Sequence, residues 1–547
     1  MSSLSRCCIL QDICPLGSAD PTHHASMRLW PSVPAAGPWP GKLLTPLEIF
    51  LLYLLARGVY SAFFHPLSRV PGPKLYAFSD LPYLYYLLRG EWPERHRQLH
   101  DKYGPVVRYT PSAVSFTTAG AWRTIYGHRI GASATVAAFP KDPKGYRPSE
   151  SGHPHIVITN DDDHRRQRRV LAHAFSEKAL RGQEAIMRQY VDKLISRLRE
   201  RAVPGEPGGS VVDVVKWYNF TTFDLVGDLT FGEPFGCLDS GGYHPWVAML
   251  FDDIRLITVD ETLRRKPALG ALVWKLVPKK WLASRMEHWE RSRQTAMRRV
   301  ESGNVTREDF MSYILRNNYD GESGGEKGGP TMTPGEIVEN ANILILAGSE
   351  TTATLLSGVT FLLLTHPDKY NRLVKEIRGA FATDADITLT GLGGLDYLNA
   401  VLEEGMRMYP PVPILMPRIV PGKGENVEGY WIPGGTTVGV PHWASCQSKF
   451  NFHDANKFVP ERWIAGERDA VYENDARDAC QPFSYGPRNC LGRNLANAEM
   501  RLILAKLLWH FDLELQPESR GWRDKQKIFV LWDKDELNVK LTPVVRG

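Results

Sequence analysis

The sequence predicts a mainly α-helical fold with a minor β-sheet region: one large domain over residues 76–547 behind an N-terminal membrane anchor. Three observations predict it. From Tyr76 onward, apolar residues recur at helical spacing between Pro and Gly breaks, and strand signals are few. No long linker divides the chain after about residue 75, so the three or so domains that 547 residues suggest on length alone merge into one. Residues 43–64 are mostly apolar and, at about 1.5 Å per residue, long enough as a helix to cross roughly 30 Å of hydrocarbon.

Taken in order, residues 1–42 are rich in Pro, Ser and His without apolar periodicity, which predicts a disordered tail; Met27 is a second candidate start. The apolar stretch over 43–64 contains Pro46, Glu48 and Arg57, is too long for a signal-peptide core and lacks a small-residue cleavage site, so it reads as a retained anchor. His65-Pro66 and Pro71-Gly72-Pro73 cannot continue that helix and predict a stiff hinge over 65–75. Residues 320–330, DGESGGEKGGP, predict an exposed connector. Behind it stands the clearest helix start in the chain: Thr333 as N-cap, Pro334 at the first helical position and Glu336 completing a capping box, with the helix running to about Thr365 before His366-Pro367. A hairpin-like run is expected over 427–440, and a further helix over 493–510.

Composition narrows the function. A chain that is 43% hydrophobic and 23% charged is globular, and a net charge of +5 with one short basic tract argues against nucleic acid as a main partner. The seven cysteines have no framework spacing, and neither C-x-x-C nor H-E-x-x-H occurs, so a disulfide scaffold and a ready-made zinc site are both unexpected.

The chemistry gathers around Cys490. This cysteine precedes the 493–510 helix, whose unpaired N–H groups stabilise a thiolate. Gly486 and Gly492 let the backbone turn tightly and approach a flat ligand, and Arg488 is suited to pair with a carboxylate on it. On the long central helix, positions 347, 348, 351, 352 and 355 form one stripe of mostly small residues, with room for a flat partner, and the helix also carries the adjacent pair Glu350-Thr351. Glu404 and Arg407 are three apart on a helix ending at Pro410-Pro411, so their side chains can meet. His164 and Arg168 share one face of a helix that begins after Asp161-Asp162-Asp163.

The run Phe483-Ser-Tyr-Gly486-Pro-Arg488-Asn-Cys490-Leu-Gly492 resembles the haem-binding signature F-x-x-G-x-R-x-C-x-G of the cytochrome P450 family at every position. Ala347-Gly-Ser-Glu350-Thr351-Thr352, Glu404-Gly-Met-Arg407 and Pro460-Glu-Arg462 are similar to three further family patterns in the same order, so the resemblance covers roughly residue 64 to the C-terminus. It implies the cytochrome P450 fold and a haem b with Cys490 as iron ligand in a pocket formed with Phe483, Gly486, Arg488 and Gly492. It also implies proton delivery by Glu350 and Thr351, and a structural triad of Glu404, Arg407 and Arg462 followed by Trp463 where the family commonly has Phe. His164, in place of the common Trp, Arg168 and Arg418 are implied as propionate ligands. Looser phrases, His173-Ala-Phe-Ser176 and Phe231-Gly-Glu-Pro-Phe235, resemble fungal members that decorate terpenoids and polyketides.

The expectation is therefore a monooxygenase that uses dioxygen to hydroxylate or epoxidise a small hydrophobic substrate, a terpenoid or polyketide intermediate of fungal secondary metabolism. Electrons would come from NADPH through a separate NADPH–cytochrome P450 reductase. Membrane lipid around the anchor would hold the catalytic domain on the cytosolic face of the endoplasmic reticulum, leaving the sequons at Asn219 and Asn304 bare. Two alternatives stand beside it: an isomerase or dehydratase of the same fold, and a non-catalytic haem carrier or sensor. Residues 126–160, 235–282 and 410–417 are expected to shape the pocket.

Overall fold

A computed structural model describes residues 45–128, 138–149, 151–202, 210–276, 290, 293–303, 305–319 and 331–545. The expected tail, the 320–330 connector and Asn304 lie outside them. Mostly helices, with four small sheets among the described residues, carry the chain.

Helix α1 (Pro46–Phe63) is long and apolar enough to cross a membrane, as expected of an anchor. Its start is a capping pair: Thr45 N–H donates to Glu48 Oε2 at 2.7 Å and Glu48 N–H to Thr45 Oγ1 at 3.3 Å. Glu48, which on the sequence interrupts the apolar run, therefore sits at the end of the helix, where a carboxylate stabilises it. The chain divides into two units, Met1–Leu54 and Leu55–Gly547, so the large unit begins ahead of the boundary expected at residue 76. The physical reason is local. Ser61 Oγ donates to the Ala77 carbonyl at 2.6 Å, Arg108 reaches the Ser61 carbonyl at 2.9 Å, and Leu67, within the proline-rich 3₁₀ turn Pro66–Arg69, is fully buried.

Strands β1 (Val106–Thr110) and β2 (Ala113–Phe116) pair antiparallel and start a four-stranded sheet. Strand β3 (Ser210–Asp213) belongs to a separate C-terminal sheet. Strand β4 (Arg418–Ile419) precedes the hairpin of β5 (Gly424–Val427) and β6 (Tyr430–Pro433), closed by Glu428 and Gly429 at φ 52° and 81°. The hairpin thus ends sooner than the sequence suggested. Pro433-Gly434-Gly435 turns the chain away, and β7 (Thr437–Gly439) joins the first sheet, parallel to β2 and antiparallel to β4.

Seven further helices frame the site: α2 (Ala119–Tyr126), α3 (Asp161–Leu171), α4 (Val214–Phe231), α5 (Pro334–Leu364), α6 (Asp396–Met408), α7 (His442–Cys446) and α8 (Arg493–His510). Helix α5 realises the predicted signals, with Thr333 as N-cap, both arms of the capping box and 31 residues ending before Thr365. It is mostly buried, a core helix despite its membrane-like length. Helix α4 packs against it and is apolar around most of its circumference, as a helix enclosed on all sides must be. Ser349 Oγ reaches the Thr222 carbonyl at 3.2 Å, and Tyr218 meets Thr360 at 2.8 Å. Asn219 is buried on α4, which closes that sequon to a glycan in the folded protein whatever the topology.

Candidate active site

Cys490 closes a tight loop: its N–H donates to the Phe483 carbonyl at 2.8 Å, and helix α8 begins three residues later. Ser484 and Gly486 take left-handed backbone, at φ 60° and 74°; a Cβ on Gly486 would lie 2.0 Å from the Tyr126 carbonyl oxygen, so only glycine fits there. At Gly492 the nearest atom to an added Cβ would be 3.9 Å away, which leaves open space on the cavity side. The thiol is exposed onto a cavity of about 360 Å³ that Phe483, Gly492 and helix α5 also line. Burial pushes the Cys490 pKa up, while the Gly492 N–H, Arg168 and Arg493 pull it down.

One end of that cavity is cationic. Arg418 and Arg488 line it, and the buried atoms Arg418 Nε and Arg488 Nη1 have no partner among the described residues. Asp161 holds the rest of Arg488 at 2.6 and 2.9 Å, and Arg418 donates to the Phe139 carbonyl at 3.2 Å. His164 and Arg168 line the same space; Arg168 commits two donors to Asn489, at 2.7 and 2.6 Å, and so braces the residue before the cysteine. Lys141 joins them, with burial first and then Arg488 and Arg418 pushing its pKa down to about 6. Burial, again reinforced by Arg488, Arg168 and Lys141, brings His164 down to about 3. Two buried guanidinium groups with orphaned donors call for an anion, and the depressed Lys141 and His164 register the same uncompensated positive charge. A thiol, an apolar slot and a cationic end with two orphaned guanidinium donors fit a haem with its two propionates.

All five positions of the small-residue stripe, Ala347, Gly348, Thr351, Thr352 and Leu355, line the cavity. Thr351 Oγ donates to the Ala347 carbonyl at 2.6 Å, which leaves the lone pairs of the hydroxyl available as acceptors. Glu350 is different. One residue along a helix turns the side chain by about 100°, and its carboxylate points away from the cavity, where Lys534 donates to it and to Thr354. Both charges are almost fully buried, at 1% and 3% exposure, and both line a second, polar cavity of about 240 Å³ together with Asp213, Lys216, Asn219 and Glu536. The structure therefore sets Thr351 and Glu350 on different faces of the helix, each lining its own cavity.

Glu404, Arg407 and Arg462 meet as the resemblance implied, each with a fully buried side chain. Arg407 binds Glu404 at 2.7 and 2.8 Å, and Arg462 reaches it at 3.2 Å and also pairs with Asp475. Trp463 is more than an aromatic replacement: its indole N–H donates to Glu404 Oε2 at 2.8 Å. Removing one member of such a buried network strands the other charges and costs about 3–5 kcal/mol.

Of the basic tract, Arg166 is tied to Glu336 at 2.5 Å and Asp163 at 2.8 Å, and Arg165 pairs with Asp162. Pocket residues come from two of the three expected segments, for example Tyr126, Tyr146 and Val157 from the first and Val412, Ile414 and Met416 from the last. Among the described residues, 235–282 contributes none.

Sequence reasoning missed Lys141, Lys534 and Glu499. Glu499, on α8, is fully buried at the cavity wall, and burial raises its pKa to about 8 against the pull of a hydrogen bond from Thr352. Because the folded pKa lies above the ordinary 4.5, the folded protein holds a proton that the unfolded chain releases, so stability falls as pH rises from about 4.5 to about 8. In Glu499→Gln that component of the decline should vanish. Chemical denaturation at the two ends of this window reads it, and an equal decline in both proteins would mean that Glu499 is already ionised when folded.

Comparison with known proteins agrees with the geometry. The family model of cytochrome P450 matches residues 71–541. The chain is similar to cytochrome P450 monooxygenase aclL of Aspergillus oryzae, 45% identical over 504 residues that make up 92% of this chain and 99% of that protein. It is similar to cytochrome P450 monooxygenase traB of Penicillium crustosum, 44% identical over 503 residues, 91% of this chain and 96% of that one. Averantin hydroxylase of Dothistroma septosporum is 40% identical over 496 residues, 90% of each chain. With a family match over most of the chain and a cavity in which the signature cysteine faces the small-residue helix, this chain belongs to the cytochrome P450 family of haem-thiolate monooxygenases.

Proposed function

We propose that this enzyme holds haem b through the Cys490 thiolate and inserts one atom of dioxygen into a small, largely apolar molecule, by hydroxylation or epoxidation. When bound, the haem supplies the redox chemistry that activates dioxygen. The chain's own residues do the rest. Arg418 and Arg488 neutralise the propionates, Lys141 and His164 offer them hydrogen-bond donors, and Arg168 positions the cysteine loop through Asn489. Thr351 accepts a hydrogen bond from water in the cavity, and Glu350 draws protons from the polar cavity behind the helix. Glu404, Arg407 and Arg462 keep the packing behind the cavity rigid and take no part in the chemistry.

The observation that carries this reading is the pairing of an open Cys490 thiol with the Thr351 hydroxyl in one apolar cavity. An isomerase or dehydratase of the same fold needs no proton supply for dioxygen, so the hydroxyl in the cavity favours the monooxygenase. The name averantin hydroxylase among the relatives supports hydroxylation within fungal secondary metabolism, and the looser resemblance of His173–Ser176 and Phe231–Phe235 supports a polyketide or terpenoid intermediate as the substrate class. Electrons come from NADPH through a separate flavoprotein reductase, which meets the exposed Arg165 and Arg169 near the cysteine side. Helix α1 anchors the enzyme in the endoplasmic reticulum membrane with the domain on the cytosolic face.

The test is a reconstitution in lipid with NADPH–cytochrome P450 reductase under oxygen-18 gas. The substrate pool comes from strains with and without the gene, compared for the metabolite that accumulates. Product carrying one labelled oxygen, formed only with NADPH and reductase, is expected. An unlabelled isomer or dehydration product would overturn the reading.

A further inference from the structure

Behind the cavity wall lies a cluster that the catalytic reading does not use. Helix α7 ends on Cys446, and Cys480 caps the 3₁₀ turn Arg477–Ala479. Their sulfur atoms stand 3.1 Å apart, both side chains are buried, and His442 Nε2 lies 4.0 Å from the Cys480 sulfur. His442 itself reaches the cavity onto which Cys490 opens. From this geometry we infer that Cys446 and Cys480 form a redox-active dithiol that hydrogen peroxide closes to a disulfide, tying the end of helix α7 to the segment that leads into the Cys490 loop.

The separation carries the argument. A formed S–S bond is ~2.05 Å long, so closure asks the sulfurs to approach by roughly 1 Å. The two backbones are already held together, since the Ala479 carbonyl accepts from Ser445 Oγ at 2.9 Å and from the Trp122 indole at 3.0 Å. That leaves little chain to reorder. A metal ion suits the cluster less well. Two thiolates on tetrahedral zinc, each at ~2.3 Å, stand roughly 3.8 Å apart, and the three donor atoms, all within 4.8 Å of one another, lack a fourth ligand among the described residues. Arg407 adds to this: it donates to the Cys446 carbonyl at 3.0 Å and feels both thiols. A fixed cation there opposes a dication.

The chemistry balances. The Cys480 sulfur attacks one peroxide oxygen while His442 takes the thiol proton; the O–O bond breaks, leaving a sulfenic acid, and the proton joins the departing hydroxide as water. The Cys446 sulfur then attacks the sulfenic sulfur, the S–S bond forms, and a second water leaves with the Cys446 proton. Two thiols give up two electrons and one peroxide becomes two waters. The hydrogen bond with the Cys446 thiol, and then burial, push the Cys480 thiol well above its ordinary range, so the reaction is slow and follows sustained peroxide.

The experiment treats the full-length holoprotein with a few equivalents of hydrogen peroxide, then unfolds it in alkylating reagent and maps the digest by mass spectrometry. Expected is a cross-linked peptide joining Cys446 to Cys480, with two of the seven thiols lost and regained on reduction. In Cys446→Ala that reversible two-thiol loss should disappear, and Cys480→Ala serves as the second variant should the first fold poorly. Alkylated, uncrosslinked Cys446 and Cys480 in oxidised wild type would overturn the inference, as would one zinc per chain in the untreated protein that Cys480→Ala loses. Because peroxide is added directly, failure here leaves the monooxygenase reading untouched.

Discussion

Cys490→Ser should abolish turnover and remove the red-shifted Soret band that the reduced, carbon-monoxide-bound protein shows when sulfur is the ligand. The thiol faces the cavity, and three groups, the Gly492 N–H, Arg168 and Arg493, favour its ionised form against the cost of burial. A serine hydroxyl in the same place gains the same help but starts several pKa units higher, so it stays a neutral alcohol and gives up no charge to a metal. Losing a supporting contact at a metal site costs ~10–100-fold, and losing the ligand itself should exceed that. The change is nearly isosteric, and the loop is held by the Cys490 N–H to Phe483 bond and by Arg168 on Asn489, so the fold should persist. A Cys490→Ser protein that kept the band unchanged would mean that another residue is the ligand.

What the sequence made legible and what it hid divide along physical lines. Contacts between residues close in the chain were legible, because their spacing encodes their geometry. The Thr333–Glu336 capping box, the Glu404–Arg407 pair and the five-residue stripe on α5 are all set by helical periodicity, and all stand where that periodicity puts them. The glycine at 486 was readable for the same reason, since a left-handed turn leaves few other choices. Contacts across the chain were not. Lys534 finds Glu350 from 184 residues away, and Lys141 reaches the cationic end from a segment with no motif of its own. Cys446 and Cys480, 34 residues apart, carry no spacing signature at all. Adjacency also misled: Glu350 and Thr351 are neighbours in sequence, and the helix turns them to different cavities.

That separation sharpens the second large effect. If Thr351 holds the water that delivers protons, Thr351→Ala should spare substrate binding and the uptake of electrons, since the residue is small and loses only its bond to the Ala347 carbonyl. Product formation alone should suffer: NADPH is still consumed, the reduced oxygen leaves as hydrogen peroxide or water, and product per NADPH falls. Positioned proton transfer is worth about 10²–10⁴-fold, well above assay noise. Glu350 sits on the supply side, behind the helix with Lys534, so its loss should slow the whole cycle rather than uncouple it. Alanine is the wrong probe there, because it would strand the buried Lys534 cation at a cost of about 3–5 kcal/mol. Glutamine removes the acid and the counter-charge but keeps a hydrogen-bond acceptor of the same shape for Lys534, so it disturbs the site less. Measured together in one reconstituted reaction, Thr351→Ala should show peroxide rising as product falls, and Glu350→Gln should show both falling in step with NADPH use. A merely packed Thr351 would give a small stability loss with coupling intact. A well-folded Thr351→Ala protein with unchanged coupling would take this hydroxyl out of the mechanism.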